Sequence, residues 1–182
     1  MKTFPLSTVI PDTEVIEKTF SENSLTSSAI YSQCQKYRYC LSRTWDLNNK
    51  NLLYIMLNPS EATEVKTDPT IQRCQYRAIT MSFSALRVCN LFGLRSKNPK
   101  ALFSSKDPVG SYNDHLVKKS IQWASQIICA WGSHGIYLNR DLEIIDLLKL
   151  EQKPIYHLGL TKMGKPKHPL YISYQTKLIR WF

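Results

Sequence analysis

The chain has 182 residues, 43% of them apolar, and a formal net charge of +10, which fits one compact domain with its own core and leaves no need for a second. Met1–Ile10 carries no sustained apolar stretch, so neither a signal peptide nor a membrane span is expected and a cytoplasmic monomer is. Cys34, Cys40, Cys74, Cys89 and Cys129 are odd in number and lack paired short spacings, which argues against a disulfide framework, a zinc site or an iron-sulfur cluster, so no metal or cofactor is expected.

In chain order, residues 1–28 read as a polar N-terminal extension rich in Ser, Thr and Glu. A hairpin through Tyr31–Cys40 and Leu41–Trp45 follows, closed before the Asn48-Asn49-Lys50 turn. Leu52–Leu57 is a continuous apolar run of strand length, expected to be a buried central strand. Asp68-Pro69-Thr70 opens a helix by N-cap and N1 chemistry, with Ile71, Cys74 and Ala78 on one face.

Leu86–Asn90 is the next strand, and Pro99, Ala101 and Leu102 start a short helix. After a turn at Asp107–Gly110, Asn113 or Asp114 caps a helix carrying Leu116, Val117, Ile121 and Ala124. Ile127–Trp131 is a third buried strand, followed by a helix over 139–150 with apolar Leu142, Ile145 and Leu148, to which Ile144 can be added, and a fourth strand at Pro154–Leu158. This alternation predicts an α/β domain over 29–182: one central, mostly parallel sheet flanked by helices on both faces. Ligands of such sheets bind beyond the carboxyl ends of the strands, and polar residues follow each of the apolar runs.

The ordered set Asn58-Pro59-Ser60, Asn90, Trp131-Gly132-Ser133-His134-Gly135 and His168-Pro169-Leu170 resembles the motifs of the uracil-DNA glycosylase superfamily, and the same segments resemble a divergent bacterial and phage branch of unknown function. The resemblance implies a glycosylase-like fold and a monofunctional DNA glycosylase that flips out a base and leaves an abasic site. It implies Asn58 and His168 as the catalytic pair, with Asn90, Ser60 and Pro59 around the base.

The chemistry fits those residue types. Cleaving an N-glycosidic bond builds positive charge on the sugar and negative charge on the departing base; an imidazole such as His168 can stabilise the latter. Asn58 can position water but is a poor proton acceptor, which predicts slower catalysis than an Asp there. One planar amide, Asn90, offers both the donor and the acceptor that read the edge of an extruded base.

The uracil-specific branch has a Tyr where this chain has Ser60. That Tyr crowds position 5 of the pyrimidine, so the small serine predicts a base modified there, such as hydroxymethyl- or glucosyl-hydroxymethylcytosine, and a role in defence against phage. Lys162, Lys165 and Lys167 form a basic loop expected to contact DNA phosphates. Leu170 and Tyr171 are the wedge expected beside it, and Arg73 is a further phosphate contact. A solvated turn explains the lysines equally well. DNA is the expected partner. The alternatives are a uracil-DNA glycosylase in base-excision repair, a non-catalytic DNA-binding module of the same fold, an enzyme acting on free nucleosides, and a protein-interaction role.

Overall fold

The computed structural model describes residues 15–98 and 100–182. The reading of Met1–Ile10, the first part of the expected extension over 1–28, and Pro99 lie outside the described residues.

Among the described residues, one sheet carries β1 Val15–Glu22, β2 Leu25–Ser32, β3 Arg38–Thr44, β4 Asn51–Met56, β5 Ala85–Asn90, β6 Gln126–Cys129, β7 Ile155–His157 and β8 Ile179–Arg180. The helices are α1 Pro69–Thr80, α2 Lys100–Ser104, α3 Asn113–Trp123 and α4 Arg140–Lys149. The strand order is β1-β2-β3-β5-β4-β6-β7-β8. Pairs β1–β2, β2–β3, β3–β5 and β7–β8 are antiparallel; β5–β4, β4–β6 and β6–β7 are parallel.

That overturns the expectation of a mostly parallel sheet flanked by helices on both faces: the sheet is mixed, with its antiparallel pairings in the majority. The apolar runs that suggested a parallel sheet account for the four strands β5-β4-β6-β7 alone. The remainder comes from strands with little apolar signature. β1 alternates half-buried and exposed positions, the pattern of a strand with one wet face. A two-residue turn joins it to β2, with Asn23 in the left-handed region at φ 52. The hairpin expected through Tyr31–Cys40 is also corrected, because residues 33–37 form the connection between β2 and β3 rather than a strand.

β4 is buried on both faces, as its unbroken apolar run requires. Leu53 and Ile55 pack into one core with Cys89, Cys129, Leu116, Val117, Ile121, Ile144 and Leu148 from β5, β6, α3 and α4. Leu52, Tyr54 and Met56 pack into the other with Ile71, Cys74 and Ala78 of α1. In α4 the buried stripe is Ile144 and Leu148, whereas Leu142 is 52% exposed. No helix among the described residues is long and apolar enough to cross a membrane.

Asp68 caps α1 as expected, its Oδ1 accepting the Ile71 N–H at 2.9 Å. The cap expected at Asn113 or Asp114 is not formed. Tyr112 occupies that position without a side-chain bond.

Candidate functional site

In order of appearance the parallel strands run second, first, third, fourth (β5-β4-β6-β7), so the chain departs from β4 to one side through α1 and later returns to its other side through α3. The two connections pack on opposite cores. In open α/β sheets ligands bind at the carboxyl ends of the strands beside such a switch point, here β4 and β6.

Asn58 lies two residues beyond β4. Its Nδ2 donates to the carbonyl oxygens of Ser96 at 2.8 Å and Pro59 at 3.1 Å. With both Nδ2 hydrogens committed, the amide is fixed with Oδ1 as an acceptor that takes no hydrogen bond among the described residues. Pro59 is buried, and its carbonyl also receives the Ser96 N–H at 2.8 Å. Ser60 lines a hollow of about 260 Å³ with Glu61, Lys66, Arg95, Ser96 and Lys97.

Asn90 ends β5 opposite Met56, and strand alternation turns its side chain to the face shared by Leu86 and Val88. It is 1% exposed, yet neither Nδ2 nor Oδ1 has a hydrogen-bond partner among the described residues. Leaving such groups unpaired costs about 1–3 kcal/mol each, and buried amides are ordinarily satisfied. Its main chain is held from α3. Asn113 Nδ2 donates to the Asn90 and Leu91 carbonyls at 3.0 and 3.1 Å.

Beyond β6, Gly132 turns at φ 72 and Gly135 admits the Trp131 ring, since a Cβ there would sit 2.3 Å from Trp131 Cδ1. These glycines explain much of the Trp-Gly-Ser-His-Gly segment as packing. His134 is exposed and meets the Phe103 ring edge-on at 5.6 Å.

The Gly132 N–H donates to the Pro166 carbonyl at 2.7 Å, which ties the C-terminal segment to the rim. His168 follows two residues later and caps a short 3-10 turn, Pro169–Tyr171, its Nδ1 accepting the Leu170 N–H at 3.3 Å. In the neutral ring the proton then sits on Nε2, which is left as a donor. Burial lowers the pKa of His168 below its ordinary 6.5, opposed by the charge of Asp68 at the head of α1. The imidazole is therefore neutral at pH 7.

The expected phosphate contacts divide. Lys162 and Lys167 are exposed, Leu170 is half-buried, and Tyr171 is 89% exposed. Lys165, by contrast, is bound to the buried Asp141 at 2.5 Å. Arg73 is turned inward: Nε donates to the Pro169 carbonyl at 3.3 Å, Nη2 to that of Ile172 at 2.5 Å, and the guanidinium lies 4.3 Å over Tyr174.

Sequence reasoning missed three contributors here. Asp68 acts on His168 as well as capping α1. Asn113 holds the end of β5. Arg77, one turn beyond Arg73, donates to the Ser173, Tyr174 and Thr176 carbonyls at 2.8, 3.2 and 2.9 Å. The four-residue spacing of the two arginines was a signal for a shared face, but their partners lie nearly a hundred positions away.

No curated protein and no solved structure matches this chain. One family does, over residues 38–170, a span that takes in Asn58, Asn90 and His168. The chain belongs to that family, described as Protein of unknown function (DUF1643).

Proposed function

We propose that this protein is a DNA glycosylase that extrudes a pyrimidine and hydrolyses its bond to deoxyribose, leaving an abasic site. The observation that carries the reading is the Asn90 amide, 1% exposed with donor and acceptor both unpartnered. A fold gains nothing from such a group, whereas the edge of a nucleobase would satisfy both atoms at once. Because the amide is covered, a base reaches it only after the rim opens.

In the reaction, the C1′–N bond breaks and its electrons go to the base. The Nε2–H of neutral His168 donates to the base carbonyl where that charge collects, as fixed dipoles in a dry site do best. Asn58 Oδ1 accepts a hydrogen from the water whose oxygen bonds to C1′. That water's proton leaves to solvent, and the departed base is protonated on its ring nitrogen. Ser60 leaves space at position 5, so the substrate is a 5-substituted pyrimidine such as hydroxymethyl- or glucosyl-hydroxymethylcytosine. Destruction of phage DNA is the role that follows.

Incubation with duplexes containing cytosine, uracil or these modified cytosines, then alkali, tests the reading. Strand breaks at modified cytosines are expected. No breaks in any duplex would leave the second reading, a non-catalytic DNA-binding module, which the lack of a carboxylate at position 58 favours.

A further inference from the structure

Beside Asn58 the surface carries a built concentration of positive charge that the expected basic loop does not include. The hollow of about 260 Å³ is lined by Ser60, Glu61, Lys66, Arg95, Ser96 and Lys97. Glu61 is paired with Lys97 at 2.7 Å, so Lys66 and Arg95 form no ion pair among the described residues, although Lys66 attracts Glu61 from a distance. Lys66 is exposed. The Arg95 guanidinium is held 5.2 Å over the Tyr31 ring, with Nη1 donating to the Gln35 carbonyl at 3.2 Å and Nε without a partner among the described residues.

Two further guanidiniums, Arg38 and Arg43, are each 2% exposed. They hold the loop that follows Ser60, Arg38 through the Ala62 carbonyl and Arg43 through the Thr63 carbonyl at 2.6 Å, and Arg38 Nε has no partner among the described residues. Neither forms an ion pair among the described residues, although Asp68 attracts both and Glu64 attracts Arg43. Burial brings the Arg38 pKa down to about 10, so it stays charged at pH 7, and it feels the like charge of Arg95. Buried charge with carbonyl partners alone is costly, and its field is focused where a cleft opens.

We propose that this hollow binds a backbone phosphate of a nucleic-acid strand, held by Lys66 and Arg95 next to Asn58. The wall is shared: Ser96 receives the Asn58 amide at 2.8 Å and itself lines the hollow. A phosphate seated there fixes the strand so that the adjoining sugar lies over Asn58, which is how phosphate contacts set register. The proposal takes its strand from the glycosylase reading, but binding does not require catalysis.

Anisotropy of labelled single-stranded and duplex oligonucleotides across a potassium chloride series tests it. The Lys66→Gln/Arg95→Gln double variant should lower the slope of log K against log salt by about one to two, since each lost phosphate contact removes about one unit. Lys66→Gln alone, which breaks no bond within the fold, should lower it by about one. Glu61→Gln should tighten binding several-fold, and Lys149→Gln, on α4 at the far end of the strands, should change nothing. A wild-type slope in both Lys66 variants overturns the proposal. So does a wild-type protein that binds neither oligonucleotide. A reduced slope without alkali-sensitive sites upholds the phosphate site and removes the glycosylase; alkali-sensitive sites with an unchanged slope do the reverse.

Discussion

The side chain of Asn113 grips the main-chain carbonyl of Asn90 at 3.0 Å, while the Asn90 side chain has no hydrogen-bond partner among the described residues. The first residue of α3 thus fixes the end of β5, and the amide it positions stands idle in the fold.

Asn90→Leu should therefore leave the protein as stable as before, or up to about 2 kcal/mol more stable, because an apolar group of similar shape removes two unpaired polar atoms. Base release should fall at least 100-fold in the same variant. Urea denaturation and the alkali assay measure the two halves.

Asn113→Ala should act in the opposite sense. It strips the Asn90 and Leu91 carbonyls of a fully buried donor, for a loss of about 1–3 kcal/mol. A lower urea midpoint with an unchanged m-value is the expected result.

His168 makes stability and rate depend on pH. Its folded pKa lies below the ordinary 6.5 because it is buried, so between those two values the unfolded chain binds more protons. Stability then rises with pH through that window and is lost as pH falls below about 6.5. His115 and His157, also lowered by burial, act in the same direction. His168→Gln should flatten the slope of stability against pH in part. The catalytic rate of the wild type should hold at neutral pH and decline only below 6.5, as the donor ring becomes charged and the Leu170 N–H loses its acceptor.

Arg77→Gln should free the C-terminal segment from α1. Three carbonyls lose a charged donor, worth about 2–3 kcal/mol together once compensation by water is allowed for. Faster hydrogen exchange and proteolysis at 173–178, with the sheet core protected as before, would mark the change.

Much of this was legible before any coordinates. The Leu52–Leu57 run reads as a buried central strand, and Asp68-Pro69-Thr70 as the start of a helix. Asn58 and Asn90 follow or end such runs, which placed them at the strand ends. The polar strands were not legible: in Val15–Glu22 half the positions face water, and a weak alternation does not say which neighbour it will pair with or in which direction.

The individual assignments of Arg73, Lys165 and Asn113 turned on the same limit. As residue types they suited phosphate binding and capping; the fold instead spent them on the Ile172 carbonyl, Asp141 and the Leu91 carbonyl. Local sequence determined where the apolar runs begin and end, because burial and capping depend on neighbours a few positions away. Tertiary structure alone decided the direction of the outer strands, which cations remained free, and that the Asn90 amide would be enclosed without a partner, because hydrogen-bond partners are chosen by contacts between distant parts of the chain.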